Sequence, residues 1–187
     1  MTIELTLKDA YRATDVHRWQ IVKTQRQQSV AEHSFQVALI ASRLCDLLEM
    51  SEEIRCRVVW YSLIHDLPEV LTGDLSTPLK RMLGDEAMNK LKTFEDTITV
   101  AGRPIALGQG KTPEVIRLVV KVADLIEAVA FLDQNATTDH GRNIIHRILG
   151  VIAAQDMPAV QQVLEEVLYG KETHLDDVMC DYTGCST

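Results

Sequence analysis

Apolar residues recur at steps of three and four along most of this chain, which restricts it to helices that each bury one face. Within 29–49, Val37, Ile40 and Leu44 follow this spacing, and Ser29, followed three residues later by an acid, is a capping-box signature. The same spacing predicts helices over 52–70, 113–133, about 140–154 and 158–169, with a more polar helix over about 84–100. No internal repeat and no β-hairpin signal is found, so the sequence predicts an all-α fold.

The length and composition favour one helical domain. The chain has 187 residues, of which 46% are apolar and 25% are charged, as in an ordinary globular protein. We expect a single domain over 1–187, with its core at about 11–170 and a C-terminal tail at 171–187.

The net charge and the cysteines restrict the partners and the compartment. A formal charge of −8 repels nucleic-acid polymers and anionic membranes, and no apolar leader or membrane-spanning stretch is found. None of the cysteines forms a C-x-x-C pair, which favours reduced thiols in a cytoplasm, bacterial or that of a phage host. These cysteines are Cys45, Cys56, Cys180 and Cys185.

Ionisable residues interrupt three of the apolar stretches. His33, the pair His65-Asp66, and Asp124 each lie in a segment where a charged side chain is costly unless it is paired or binds a metal. Imidazole and carboxylate groups together suit a divalent ion such as zinc, cobalt or manganese. A buried His–Asp hydrogen-bond network is the alternative, and the residues alone leave both open.

Two further acids follow the histidine-aspartate pair. Glu69 comes one helical turn after His65, where a carboxylate is free to orient or deprotonate a water molecule. Asp74 follows Gly73 in a loop that allows close approach of a ligand, although a turn former or N-cap at that position is an equally good interpretation.

A cationic and aromatic segment precedes the first of these helices. Arg18 offers a bidentate phosphate contact, Trp19 can stack on a base or sugar, and Ile21 would extend that wall. The alternative is a staple that packs the N-terminal segment on the core. Lys80 and Arg81 follow the Thr77-Pro78 turn and offer more phosphate contacts, or only solvate a helix start.

Taken in order, these motifs resemble the HD-domain phosphohydrolases, and within them the bacterial 5′-deoxynucleotidase branch and its phage relatives that hydrolyse dATP. The resemblance covers about residues 11–135. It is carried by Arg18-Trp19, Glu32-His33-Ser34, the run His65-Asp66-Leu67-Pro68-Glu69-Val70-Leu71-Thr72-Gly73-Asp74-Leu75-Ser76-Thr77-Pro78, and Lys121-Val122-Ala123-Asp124. Related guanosine-tetraphosphate hydrolases carry an acid after the glutamate, where this chain has Val70.

The resemblance implies a helical HD-domain bundle, commonly homo-oligomeric, that acts on a deoxynucleotide with one divalent ion (Co²⁺, Mn²⁺ or Zn²⁺). It implies these roles: His33, His65, Asp66 and Asp124 as metal ligands, Glu69 positioning the attacking water, Asp74 contacting the deoxyribose, Arg18 contacting phosphate, and Trp19 packing on the sugar and disfavouring a 2′-hydroxyl. Ile21, Thr77, Pro78 and Lys80 complete the expected substrate-binding set.

The sequence is compatible with three functions. The first is a metal-dependent phosphohydrolase that cleaves the 5′ phosphoester of deoxynucleotides, either as a dATP or dNTP triphosphohydrolase or as a 5′-deoxynucleotidase acting on monophosphates. The second is an HD hydrolase of another phosphoester, and the third is a non-catalytic nucleotide-sensing module. Glu69 and Asp74 favour an enzyme, because binding alone does not require a water-orienting acid.

Overall fold

The structure is a computed structural model that describes residues 2–173. Its helices are α1 (Leu7–Tyr11), α2 (Val30–Leu47), α3 (Glu52–Ile64), α4 (Glu69–Thr72), α5 (Thr77–Glu95), α6 (Lys111–Asn135), α7 (Asp139–Ala153) and α8 (Pro158–Tyr169), with a 3₁₀ turn at Arg12–Thr14. Its strands are β1 (Ile3–Leu5), β2 (His17–Arg18), β3 (Gln28–Ser29), β4 (Ile98–Val100) and β5 (Arg103–Pro104). The predicted helical fold is confirmed. Cys180, Cys185 and most of the predicted tail lie outside the described residues.

The main core forms where α2, α3 and α6 pack together, with α7 and α8 closing one side. The apolar stripes that the spacing predicts on α2 and α6 are the buried faces, with Val37, Leu44, Val120 and Ala128 almost fully shielded from solvent. Ser29 caps α2 by accepting the backbone N–H of Glu32. These stripes also carry the ionisable residues into the interior.

The helix predicted over 52–70 is wrong in that it does not continue beyond Ile64. Regular α3 ends at Ile64, and tight turns follow in which the N–H of Leu67 donates to Ile64 O and that of Glu69 to Asp66 O, each at 3.0 Å. Pro68 supplies no N–H and cannot continue an α-helix. His65 and Asp66 therefore lie at a bend between α3 and α4.

The polar helix predicted over 84–100 has different limits. The segment α5 begins at Thr77, bends at Gly84, where φ is 73°, and ends at Glu95. Residues 98–100 form β4 instead, which pairs parallel with β1 and antiparallel with β5. The bend needs a glycine because its backbone lies in the left-handed region.

The structure also contains a hairpin that the sequence does not signal. The strands β4 and β5 join through Ala101 and Gly102, with φ values of 49° and 71°. A two-residue turn with both φ values positive usually carries Asn-Gly or Asp-Gly, so Ala-Gly between very short strands gives little signal.

A second small sheet positions the N-terminal segment against α2. The strands β2 and β3 pair antiparallel, with His17 opposite Ser29 and Arg18 opposite Gln28. This pairing holds Arg18 and Gln28 beside the start of α2. Within residues 2–173, no helix has both the length and the apolar character that a bilayer crossing requires.

Candidate functional site

Two histidine rings from different helices meet in the interior. His33 lies on the buried face of α2, His65 caps the C-terminus of α3, and their ring centroids are 5.6 Å apart. Each Nδ1 has a partner: Glu127 Oε2 lies 2.5 Å from that of His33, and the carbonyl oxygen of Ser62 lies 2.7 Å from that of His65. Each Nε2 is buried and has no hydrogen-bond partner. Such a nitrogen is suited to bind a cation.

The two predicted aspartates border the same point. Ligand atoms of His33, His65 and Asp66 all lie within 4.8 Å of one another. Asp124, on α6, places Oδ1 at 3.4 Å from His33 Nε2. The structure thus gathers three of the predicted ligands in one group, and Asp124 borders this group through its contacts with His33 and Arg18.

The contacts differ from those of a closed His–Asp hydrogen-bond network. His33 Nε2 lies 3.6 Å from Asp66 Oδ2, and His65 Nε2 lies 3.5 Å from Asp66 Oδ1. These separations exceed an ordinary hydrogen bond, and both nitrogens lack a partner. The donor set and its spacing fit a divalent ion better than direct pairing.

Arg18 lies against both carboxylates. Its guanidinium group places Nη1 at 3.3 Å from Asp66 Oδ2 and Nη2 at 3.4 Å from Asp124 Oδ1. Burial opposes ionisation of Asp66, but the charges of His65 and Arg18 lower its pKa overall. Burial likewise opposes ionisation of Asp124, and Lys121 and Arg18 outweigh it and lower the pKa. Both acids are therefore held as carboxylates.

Glu69 and Asp74 differ from the two aspartates in that their pKa values are raised. Burial, with repulsion from Asp66 and Asp74, raises the pKa of Glu69 to about 9. Its Oε2 is buried without a hydrogen-bond partner. Burial also raises the pKa of Asp74, while Arg18 and Lys80 oppose that rise. A carboxyl group with such a pKa is a candidate for proton transfer.

The chain reaches Asp74 through a glycine that the geometry requires. Gly73 follows α4 with φ 71° and ψ 162°, and its N–H donates to Glu69 O at 2.7 Å. This combination of angles is essentially restricted to glycine. Gly73 therefore fixes the position of Asp74 relative to Glu69.

The predicted aromatic wall is half-buried. Trp19 stacks nearly parallel to Phe131, with ring centroids 6.4 Å apart, and its indole N–H donates to Gln28 Oε1 at 2.9 Å. Ile21 extends beyond it and is 57% exposed. Trp19 thus also packs on the core, as the alternative interpretation required, while Ile21 remains accessible to a ligand.

The remaining predicted residues lie at the start of α5. Thr77 and Pro78 are exposed in its first turn, and Lys80 is partly buried. Lys80 lowers the pKa of Glu69 and Asp74 electrostatically, so it lies near those acids. Arg81 is exposed on the same helix.

Sequence reasoning missed two buried polar residues. Glu127, only 2% exposed, contacts the Nδ1 of His33, and the fully buried Gln28 donates to Glu127 Oε1. Glu127 could have been found, because it is an acid one helical turn after Asp124 inside the apolar run Leu125-Ile126-Glu127-Ala128-Val129.

A cavity of about 540 Å³ opens beside His65. It lies between α5, α6 and the loop after β5, and Tyr61 and Pro68 line it next to the histidine. Its charged lining residues are Lys92, Glu95, Asp96 and Arg117. Of the predicted site residues, His65 lines this cavity.

Comparison with known proteins shows the family. The family model described as 5′-deoxynucleotidase YfbR-like matches residues 8–102. A dATP triphosphohydrolase of Acinetobacter phage SH-Ab 15497 is 34% identical over 167 residues, covering 78% of this chain and 76% of the relative. A 5′-deoxynucleotidase of Klebsiella pneumoniae is 37% identical over 68 residues, covering 35% of this chain and 34% of the relative.

A solved structure is similar over most of the described fold. It is the cyanophage S-2L HD phosphohydrolase DatZ bound to dA and one catalytic Zn²⁺ ion, with a TM-score of 0.70 and 27% sequence identity. The match covers 88% of this chain and 94% of that one. The expectation drawn from the sequence motifs is confirmed: this chain belongs to the YfbR-like family of HD-domain phosphohydrolases.

Proposed function

We propose that this protein is a divalent-metal-dependent phosphohydrolase that cleaves the 5′ phosphoester of 2′-deoxyribonucleotides, with a triphosphate such as dATP as its main substrate. The observation that carries the proposal is the pair of buried, unpartnered Nε2 atoms of His33 and His65, which face two carboxylates beside the unpartnered Glu69. A partly buried site with nitrogen and oxygen donors and an acid without a hydrogen-bond partner at one oxygen suits metal-assisted hydrolysis.

His33, His65, Asp66 and Asp124 are the proposed ligands of one ion. Two imidazoles and two carboxylates suit Zn²⁺, Co²⁺ or Mn²⁺, and the similar cyanophage enzyme holds Zn²⁺. When bound there, such an ion supplies Lewis acidity at a phosphoryl oxygen. Arg18, already within 3.4 Å of both carboxylates, supplies a fixed positive charge for the phosphate that reacts.

Glu69 has the properties required to orient a water molecule and accept its proton. Its Oε2 is buried and unpartnered. In the metal-free site, its pKa of about 9 keeps it protonated near neutral pH, and the positive charge of a bound divalent ion would lower that pKa and free the carboxylate to accept a proton. Asp74, which Gly73 brings next to Glu69, is the proposed contact to the deoxyribose hydroxyl. Trp19 and Ile21 form the proposed nucleoside wall, with Thr77 and Pro78 at its edge and Lys80 as a further phosphate contact.

Two observations favour a triphosphate over a monophosphate. Similarity to the Acinetobacter phage dATP triphosphohydrolase extends over 78% of this chain, whereas the Klebsiella 5′-deoxynucleotidase matches over 35%. The cavity beside His65 offers volume for phosphates beyond the first, and its lining carries the cations Lys92 and Arg117 beside the acids Glu95 and Asp96. Hydrolysis at the first phosphorus would convert dATP and water into deoxyadenosine and inorganic triphosphate.

A 5′-deoxynucleotidase acting on monophosphates is the second candidate. It is favoured by the description of the matching family model, which covers the segment with His33, His65, Asp66, Glu69 and Asp74. Both candidates use the same clustered ligands, so only the product distinguishes them.

The test is a phosphate-release screen with the purified full chain. Deoxynucleoside mono- and triphosphates and their ribonucleotide counterparts are incubated with Zn²⁺, Co²⁺ or Mn²⁺, with and without an added inorganic tripolyphosphatase. We expect phosphate from dATP only when the second enzyme is present. Phosphate release from dAMP and none from dATP would favour the 5′-deoxynucleotidase over the triphosphohydrolase. No turnover with any of the three metals would refute the proposal that the protein is an enzyme.

We also propose a homo-oligomer. Phe35 and Leu39 are more than half exposed on consecutive turns of α2, and Leu63 is exposed beside an apolar groove of about 290 Å³. Exposed apolar side chains on two packed helices suit a protein–protein interface. Light scattering after gel filtration checks it: a mass near 21.0 kDa would refute the oligomer.

Free thiols at Cys45 and Cys56 support the proposed cytoplasmic location.

A further inference from the structure

A continuous hydrogen-bond chain joins the aromatic wall to the deepest histidine. The indole N–H of Trp19 donates to Gln28 Oε1 at 2.9 Å, Gln28 Nε2 donates to Glu127 Oε1, and Glu127 Oε2 lies 2.5 Å from His33 Nδ1. Gln28, Glu127 and His33 are 0%, 2% and 0% exposed, so water does not compete for the bonds between them.

The chemistry of the groups fixes the direction of every bond. An indole N–H only donates, so the amide oxygen of Gln28 must face Trp19 and its NH₂ group must face Glu127. A carboxylate only accepts, so Glu127 receives one proton donor at each oxygen. His33 must therefore carry its proton on Nδ1, and its Nε2 presents a lone pair toward Asp66 and Asp124.

We infer that Gln28 and Glu127 are positioning residues that hold His33 in this tautomer and couple the orientation of Trp19 to metal binding at His33. The inference rests on the proposed function, because it takes His33 as a metal ligand. An acid hydrogen-bonded to the far nitrogen of a ligating histidine commonly orients the ring and raises its basicity. Here the same acid is also tied to the wall proposed to contact the nucleoside.

The backbone conformation of Trp19 explains why its orientation depends on Gln28. Its φ is 61°, a backbone conformation that bulky residues rarely adopt, so the indole needs contacts that hold it. Those contacts are the parallel ring of Phe131 and the bond to Gln28. A change in the ring of His33 is thereby transmitted through Glu127 and Gln28 to the indole.

Tryptophan fluorescence reports this coupling without any turnover. The chain has two tryptophans, so a Trp60→Phe background leaves Trp19 as the only indole emitter. Zn²⁺ has a filled d shell and does not quench by itself, so a spectral change on zinc addition reports movement or a new environment at Trp19. We expect such a change in the Trp60→Phe protein and its loss after Gln28→Met.

Zinc affinity is the second readout, measured by competition with a chelator. A Glu127→Gln side chain has one acceptor oxygen for two donors, so Gln28 or His33 loses its partner. We expect zinc affinity to fall about 10- to 100-fold. Asn135→Ala is the matched control, because it removes a buried amide on the same helix whose side chain bonds only to Phe131 O at 2.8 Å; its zinc affinity should stay within about twofold.

The inference is overturned if Glu127→Gln and Gln28→Met both bind zinc as tightly as the Asn135→Ala control and zinc still alters Trp19 emission. Should Glu127→Gln fail to fold by circular dichroism, Gln28→Met decides alone, because an amide and a thioether have similar length. Failure of the proposed function has a different signature: zinc binding and the coupled emission change persist, but no deoxynucleotide is hydrolysed.

Discussion

Asp124 is the residue on which the metal interpretation depends most. His33 and the His65-Asp66 pair belong to α2 and the bend after α3, whereas Asp124 is the proposed ligand on α6, with Oδ1 3.4 Å from His33 Nε2. Its Oδ2 also accepts a hydrogen bond from Lys121 Nζ at 2.8 Å, and its Oδ1 lies 3.4 Å from Arg18 Nη2. Its carboxylate is thus either a ligand or a counterion for two cations, and these roles predict different results.

Asp124→Ala is expected to abolish stable metal binding. Removing a ligand from a four-ligand set leaves the remaining donors unable to compete with water, so zinc content by elemental analysis should fall from near one ion per chain to below about one tenth. Asp133→Ala, an exposed acid on the same helix, is the control and should keep its metal. Unchanged zinc in Asp124→Ala would assign the residue to ion pairing instead.

Glu69 is expected to reduce the stability of the metal-free protein. Its pKa is raised to about 9 from the ordinary 4.5, so the folded state holds a proton that the unfolded state releases. The sign follows: no penalty exists below about pH 4.5, and stability is lost progressively as the pH rises toward 9. Glu69→Gln removes this penalty.

In EDTA, the Glu69→Gln variant should melt above the wild type at pH 8, by at least about 2 °C if the gain is about 1 kcal/mol, and the difference should vanish near pH 5. Activity should fall about 10²- to 10⁴-fold, as expected for loss of a general base. Equal melting curves across this range would show that Glu69 is not held in the environment described.

At the scale of elements, Pro68 and Gly73 determine how the site is built. Pro68 stops the helical run, so His65 and Asp66 leave α3 at a bend, and Gly73 redirects the chain after α4 toward Asp74. The apolar periodicity predicted α2, α6, α7 and α8 well, because long amphipathic helices repeat their pattern several times. It failed at β1 to β5, where two or three residues are too few to show alternation.

The sequence also indicated which ionisable residues would lie close together in the interior. His33, His65, Asp66 and Asp124 are costly in apolar stretches, so their presence indicates a compensating partner. Gln28 was hidden because it follows a polar run, and its burial depends on the pairing of β2 with β3, which local sequence does not reveal.

Gly73→Ala tests the backbone requirement at this element. A Cβ at Gly73 meets nothing within 4 Å, so any cost comes from the φ of 71° alone. We expect destabilisation of about 1–3 kcal/mol and reduced activity through displacement of Asp74. Gly150→Ala is the matched control, with equally open space inside α7, and should stabilise by about 0.5–1 kcal/mol. Thermal unfolding of both variants checks this, and equal shifts would contradict it.

At the scale of the whole molecule, a net charge of −8 must be reconciled with an anionic substrate. Arg18 and Lys80 lie near the clustered acids, and Lys92 and Arg117 line the cavity beside His65 together with Glu95 and Asp96. Screening by salt weakens attraction over the whole surface but affects partly buried charges less. Substrate capture should therefore depend on these few residues.

Lys92→Met is expected to distinguish long from short phosphate chains. Loss of one cation from the cavity should raise KM for dATP roughly three- to tenfold, equivalent to about 0.7–1.4 kcal/mol, and leave dAMP unaffected. Lys90→Met is the control, because Lys90 lies on the same helix but bonds to Glu86 at 2.7 Å and does not line the cavity. Steady-state kinetics with both nucleotides tests this prediction. Equal KM changes for the two substrates would show that the cavity does not bind the outer phosphates of dATP.

The most direct test of the central claim is a phosphorus NMR spectrum of dATP turnover by the zinc-loaded protein in ¹⁸O-enriched water. We expect deoxyadenosine and intact inorganic triphosphate, with the label on a terminal phosphorus because water attacks the first phosphate of dATP. Formation of dADP or dAMP, or no consumption of dATP with any of the three metals, would contradict it.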